Sequence, residues 1–223
     1  MSSDRSATWV VIAAFQEGKV IGDVVREVVR AGWSVVVVDD GSTDNTSAEA
    51  RAAGALVIRH ALNRGQGASL QTGIDYALRR GARYLVTFDA DGQHNASEIP
   101  ALLAALADAD VALGSRFLGT IEGAQQGRRA LLRTAIVVSN GLSGMKLTDA
   151  HCGLRAFRRE AAAALRMTQD RMAHASELLR KIKTSNLRVV EVPVTVRYTE
   201  HSLSKGQSGL QAVRILFDYF FRA

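Results

Sequence analysis

Along the first half of the chain, apolar positions come in short dense runs separated by longer, partly polar stretches. Trp9–Ala14 is a run of strand length, and Val35–Val38, Leu56–Arg59, Tyr84–Phe88 and Val111–Leu113 repeat it. Between them the spacing changes to that of a helix. Lys19–Ala31 sets Val20, Val24, Val25 and Val28 on one face. Thr43–Ala53 follows, then Ala68–Arg80, which Gly81 stops, and Ser97 is placed to cap a helix running to about Ala107. Strands and helices alternating in this way predict an α/β fold, a mostly parallel sheet covered by helices on both faces.

After Ser115 the pattern loosens. Phe117–Gly127 reads as a loop rich in Gly and Gln, and Arg128–Asn140 as a helix. A short strand Leu154–Phe157, helices Arg159–Leu165 and Ala173–Lys183, and a strand Arg188–Val196 follow. A polar loop over Thr199–Ser208 leads to a closing helix, Ser208–Arg222. It lines up Leu210, Val213, Phe217, Phe220 and Phe221 opposite Gln211, Arg214, Asp218 and Arg222. Such a helix either docks on the protein's own core or lies in a lipid interface.

Composition narrows the picture. A chain of 223 residues, 47% apolar and 22% charged, buries enough surface to fold and is short enough for a single domain. The one cysteine, Cys152, excludes an intramolecular disulfide framework and a multi-cysteine zinc site, and fits a reducing compartment. The first residues carry no secretory pattern. No apolar span reaches the roughly 18 residues needed to cross a bilayer; Arg133 and Asp218 interrupt the best two. A net charge of +6 favours anionic partners such as nucleotides, phospholipid headgroups or nucleic acid, a solvated basic surface being the alternative. No aromatic platform accompanies the basic residues, which argues against nucleic acid.

In a parallel sheet, ligands bind beyond the carboxyl ends of the strands. Three of those ends carry polar turns: Asp39-Asp40-Gly41-Ser42-Thr43-Asp44, Asn63-Arg64-Gly65-Gln66-Gly67 and Asp89-Ala90-Asp91-Gly92-Gln93-His94. The turn after the first strand lacks the glycine fingerprint of a dinucleotide site, and no Gly-Lys-Ser/Thr of a phosphate loop occurs. Asp89 and Asp91 project the same way from an extended segment, and two neighbouring carboxylates repel unless a cation lies between them. Mg²⁺ or Mn²⁺ suits oxygen ligands that share the ion with phosphates; Gln93 offers a further oxygen and His94 a nitrogen. The alternative is a solvated Asp-Gly turn. Asp39, ending the second strand, can accept from a ribose hydroxyl or a base N–H, or cap the next helix.

In order along the chain, Ala14-Phe15-Gln16-Glu17, the Val38–Thr46 stretch, Asn63-Arg64-Gly65, Phe88–His94 and Gly114-Ser115-Arg116-Phe117 resemble the motifs of family-2 glycosyltransferases of the GT-A fold, a Rossmann-like mostly parallel sheet flanked by helices. The chain looks like the dolichyl- or polyprenyl-phosphate sugar transferase branch, over roughly residues 8 to 205. The resemblance implies one catalytic domain over 1–223: a nucleotide-sugar half at about 8–115, an acceptor-side portion at about 116–207 and the amphipathic helix at about 208–223. It implies a UDP- or GDP-hexose donor, with Phe15 and Glu17 flanking the nucleoside, Asp39 reading base or ribose, and Asp89, Asp91 and Gln93 around a metal on the diphosphate, Ala90 lying between the two carboxylates. Ala13 stands where the family often has proline.

The second half carries the acceptor expectations. Arg129 and Arg133 share a helical face, and guanidinium forks can grip a phosphate monoester. In the resembling branch, the position of Arg116 and the basic helix pair, here among Arg128, Arg129 and Arg133, meet the lipid phosphate. Asp149-Ala150-His151-Cys152-Gly153-Leu154-Arg155 resembles the family's Asp-x-x-Ser-Gly-Phe-Arg, with Cys152 in place of serine. Asp149 can be a base, can orient the acceptor, or can pair with Arg155. His174 and Glu177 are three apart on a helix, a surface pair or a cleft pair. Arg197 and Lys205 can close over the diphosphate as part of a mobile loop. An attacking phosphate oxygen is already ionised, whereas a sugar hydroxyl needs a base. The resemblance implies single displacement with inversion at the anomeric carbon, and the reading is transfer of a hexose to a polyprenyl phosphate, at the inner face of a membrane, with the protein cytoplasmic and peripheral or recruited by a small membrane-protein partner. The rivals are transfer to a carbohydrate hydroxyl in surface-polysaccharide synthesis and nucleotide-sugar binding without catalysis.

Overall fold

A computed structural model describes residues 5–123, 126–168 and 173–198. Its strands are β1 (Thr8–Ala14), β2 (Ser34–Asp39), β3 (Leu56–Arg59), β4 (Tyr84–Asp89), β5 (Val111–Glu122), β6 (Arg155–Arg158) and β7 (Val189–Arg197). Its helices are α1 (Ile21–Arg30), α2 (Thr46–Ala52), α3 (Gln66–Arg79), α4 (Ile99–Ala105), α5 (Gln126–Ser143), α6 (Arg159–Ala164) and α7 (Ala173–Thr184).

The strands form one sheet in the order β3-β2-β1-β4-β6-β5-β7, in which only β6 runs antiparallel to its neighbours. The mostly parallel α/β expectation holds. Alternation along each strand divides the core between two faces. Val10 and Ile12 of β1 and Val35 and Val37 of β2 pack toward α1 and α4, with Ile21, Val25, Ile99 and Leu102. Val11 and Val36 turn the other way and join Leu70, Ile74, Leu179 and Ile182 of α3 and α7. Gly73 of α3 makes that second face possible, because a Cβ there would stand 2.4 Å from Val11 Cγ1.

Two local expectations are corrected. Asn95, not Ser97, caps the turn before α4: its side chain accepts from Ser97 N at 3.0 Å, and a 3-10 turn, Ala96–Glu98, precedes the helix. The stretch read as a loop from Phe117 is largely strand. β5 runs 12 residues and pairs in parallel with β7 on both sides of an irregularity between Ser115 and Thr120. Glycine allows the close approach there, since a Cβ on Gly119 would meet Val194 O at 2.3 Å. Polar residues on this segment disguised it, because ladder pairing on an exposed edge needs no apolar run.

Candidate active site

From β1 the chain steps to β2 and β3 on one side, then crosses back to lay β4 on the other. The loops after β1 and β4 therefore diverge, and the crevice between them is where an open α/β sheet receives its ligand. Ala13 is paired with Asp89 in register, which brings Phe15 and Glu17 level with the Asp89–Asp91 turn.

The wall over β1 and β2 is built from hydrogen bonds between two polar loops. Gln16 adopts a left-handed φ of 56°, and Phe15 beside it is left 45% exposed. Gln16 N donates to Ser42 Oγ (2.9 Å), Glu17 N to Thr46 Oγ1 (2.8 Å) and Gly18 N to Asp44 Oδ2 (3.0 Å). Asp39 lies beneath them, wholly buried. It accepts from Ser42 N at 2.9 Å and from Ser47 Oγ, with Arg59 Nε 3.7 Å away. Its carboxylate thus holds its own loop, the local role that the sequence offered beside a contact to base or ribose. Asp40 organises the third turn, accepting from Arg64 N, Gly65 N and the His60 ring. Burial raises its pKa, but those partners outweigh burial and hold it below the ordinary carboxylate range.

The acidic pair forms the second wall. Asp89 contacts His94 Nε2 at 3.0 Å, so that ring nitrogen serves the carboxylate. Burial works against the Asp89 anion, yet His94, Arg155 and Arg116 outweigh it and lower its pKa. For Asp91 the balance goes the other way. Burial first, then the Asp89 charge, push it up to about 6. Gln93 enters through its backbone: its N–H donates to Asp91 Oδ1 (3.1 Å) and its carbonyl accepts from Arg197 N (2.9 Å). Arg197 is thus brought to the acidic turn, although its guanidinium pairs with Glu122 at 3.1 Å. Gly153 closes the far side so tightly that a Cβ there would fall 2.1 Å from Asp89 Oδ2.

The acceptor-side residues sort differently from expectation. Arg116 and Asp149 form a buried pair, Nε to Oδ2 at 2.6 Å, and Arg116 also donates to Tyr198 OH at 2.8 Å. Burial disfavours the guanidinium charge, but Asp149 more than restores it and raises the pKa. Asp149 Oδ1 accepts from His151 N (3.1 Å), so its carboxylate is held by Arg116 and the His151 backbone and, among the described residues, is not ion-paired with Arg155. Arg133 is separate: it is exposed and lies over the Phe117 ring at 5.9 Å. Glu177 is buried, accepting from Thr168 and pairing with Lys181 at 2.7 Å, a structural role. Burial pushes the Cys152 thiol up to about 12, which keeps it neutral. The side chains of Arg128, Arg129 and His174, together with Lys205 and the closing helix, lie outside the described residues.

Beside the acidic pair lies a cavity of about 210 Å³, lined among others by Gln66, Asp89, Asp91, His151, Gly153 and Arg155. Sequence reasoning gave Arg155 only as a possible partner of Asp149 and gave His151 no role. The available signal was their place in the Asp149–Arg155 stretch. Among the described residues, no three His, Cys, Asp or Glu side chains gather as a metal cage. Two carboxylates on one turn, whose charges repel until a cation lies between them, fit an ion that takes its remaining ligands from phosphate and water, as Mg²⁺ and Mn²⁺ do. No helix among the described residues is long and apolar enough to cross a membrane.

Fold and crevice define a glycosyltransferase of the GT-A type. The chain belongs to glycosyl transferase family 2, whose family model matches residues 9–166. It is 31% identical to the UDP-N-acetylglucosamine–dolichyl-phosphate N-acetylglucosaminyltransferase of Methanococcus voltae over 96% of this chain and 93% of that one. It is 34% identical to the polyprenol monophosphomannose synthase of Mycolicibacterium smegmatis over 89% and 80%. Glucosyl-3-phosphoglycerate synthase of Mycobacterium tuberculosis, solved with Mn²⁺, UDP and phosphoglyceric acid, shares the fold with a TM-score of 0.72 at 19% identity, over 96% of this chain and 78% of that one.

Proposed function

We propose that this glycosyltransferase moves a hexose from a UDP- or GDP-sugar to a polyprenyl phosphate, with inversion and with Mg²⁺ or Mn²⁺. The observation that carries the reading is the Asp89–Asp91 pair at the strand-order reversal, where both carboxylates line one cavity. Asp89 and Asp91 would hold the ion, whose charge offsets the negative charge that builds on the leaving diphosphate. Phe15 and Glu17 flank the donor, and Ala90 packs beneath the acidic turn, 6% exposed. Arg197, tied to Gln93 through its backbone, is the described residue nearest in role to a lid, with Lys205 following it in sequence.

The named activities of the two relatives support the acceptor. So does the state of Asp149: held by Arg116, it does not supply the base that a hydroxyl acceptor requires, whereas a phosphate oxygen attacks already ionised. In this reading Arg116 and Asp149 position the acceptor side as a unit, and the basic face carrying Arg129 and Arg133 meets the lipid headgroup layer. The reading places the protein at a membrane surface.

The test is transfer from UDP- and GDP-hexoses to a polyprenyl phosphate with Mn²⁺, scored as a lipid product labile to mild acid. Asp91→Ala is expected to lower the rate by about 10²–10³-fold. Transfer only to free carbohydrate hydroxyls, or full activity in the variant, would overturn the assignment.

A further inference from the structure

Arg155 is a buried cation whose neighbours do not neutralise it. It is 5% exposed, and its Nε donates to Cys152 O at 2.8 Å. Among the described residues no carboxylate pairs with it, in contrast to Arg116, whose charge Asp149 takes up at 2.6 Å. Burial lowers its pKa, and the nearby charges of Asp89 and Asp149 do not restore it. Of its five N–H donors, four remain for another partner, arranged as the planar fork that matches a phosphate.

Topology places that fork. Arg155 lies opposite Thr87 on the antiparallel β4–β6 pair, and Thr87 and Asp89 share a face of β4. Arg155 therefore rises beside Asp89 into the same cavity, on the side of β4 away from β1. The donor's nucleoside end belongs over β1 and β2, and its diphosphate belongs with the metal at Asp89 and Asp91. A second anion fits at Arg155, across the acidic pair from the donor. An occupant with hydroxyls alone would leave the buried charge uncompensated.

We propose that Arg155 receives the phosphate of the acceptor and holds its oxygen toward the sugar beside Asp89, a role that the basic helix face was expected to fill. The proposal rests on the phosphate-acceptor reading above, and the experiment separates the two. In the full chain, Arg155→Gln raises the KM for a short-chain polyprenyl phosphate by about 10–100-fold, as expected for the loss of a charged bidentate contact, and Arg155→Lys by less. The affinity for UDP or GDP with Mn²⁺, read by thermal shift, stays at the wild-type value. Inorganic phosphate competes with the acceptor but not with the donor in the wild type, and this competition weakens in both variants. An unchanged acceptor KM in Arg155→Lys, or an equal loss of nucleotide affinity in either variant, would overturn the proposal. Should Arg155→Gln not melt cooperatively, the lysine variant alone decides, because it keeps the charge and loses the fork. Should the wild type use no polyprenyl phosphate at all, the acceptor reading fails by itself. The thermal shift of wild type and Arg155→Lys with inorganic phosphate then decides the arginine: a wild-type shift that the variant reduces supports anion capture, and equal or absent shifts overturn it.

Discussion

The two sides of the crevice are built on different principles. Over β1 and β2, short loops are joined by hydrogen bonds from backbone N–H groups to Ser42, Thr46 and Asp44, and Asp39 is satisfied within eight residues of itself. Beyond β4 the polar groups are charges held in the interior: Arg116 is paired with Asp149 and Tyr198, distant in sequence, and Arg155 lies near Asp89 without an ion pair to it. The first wall is a shape held by many short hydrogen bonds between neighbouring loops. The second stores electrostatic energy, which a charged substrate can meet. Removing one hydrogen bond from the first side should therefore cost little, and removing one charge from the second should cost much.

Breaking the buried pair is the severest test of that contrast. Asp149→Ala leaves Arg116 uncompensated and is expected to destabilise the fold by about 3–5 kcal/mol in denaturant unfolding. Adding Arg116→Met should recover part of the loss; no recovery would mean that the pair is not the source of the cost. Gly153→Ala comes next. Its methyl group requires the Asp89 carboxylate to move, since the Cβ would lie 2.1 Å from Oδ2. Transfer should fall about 100-fold, with the melting temperature shifting by only a few degrees.

The third prediction concerns pH. In the metal-free protein Asp91 is raised to about 6 from the ordinary 3.8, so the folded state binds more protons than the unfolded state across that window. This group's contribution to stability therefore falls as pH rises from about 4 through 6. The melting temperature of Asp91→Asn should overtake that of the wild type increasingly across the same range. Because a ligand carboxylate must lose its proton, Mn²⁺ affinity should drop by up to about tenfold per unit below pH 6 and level off above it. A flat metal affinity from pH 5 to 7 would disprove the coupling. The smallest effect is expected at Ser42. Ser42→Ala removes one acceptor for Gln16 N and should cost about 1 kcal/mol, with transfer activity nearly retained.

These differences follow how the residues announce themselves. The acidic turn was legible because Asp89 and Asp91 sit in one short segment at a strand end, where spacing alone makes them neighbours. Ser42, Asp44 and Thr46 were visible as a motif, but their use was not: the sequence showed polar residues after a strand without showing that the loop after β1 would need their oxygens. Asp39 was legible in part: the sequence offered a contact to base or ribose or a local cap, and the structure shows the bonds to Ser42 and Ser47. The exchange of partners between Asp149 and Arg155 was out of reach, since Arg116 is 33 residues from Asp149 along the chain and the choice between two arginines depends on where β5 and β6 lie in the sheet.

The sequence by itself determined the alternation of strand and helix, the two apolar faces, the family motifs in order and the proximity of two carboxylates. All of these depend on contacts or periodicities a few residues long, which the chain encodes locally. Only the tertiary structure decided that β5 extends to Glu122, that Arg116 is spent on Asp149, and that Arg155 stands buried at the edge of a cavity with no carboxylate ion-paired to it among the described residues. Pairing between charges far apart in the chain is a competition settled by packing and desolvation, and no segment carries its outcome alone.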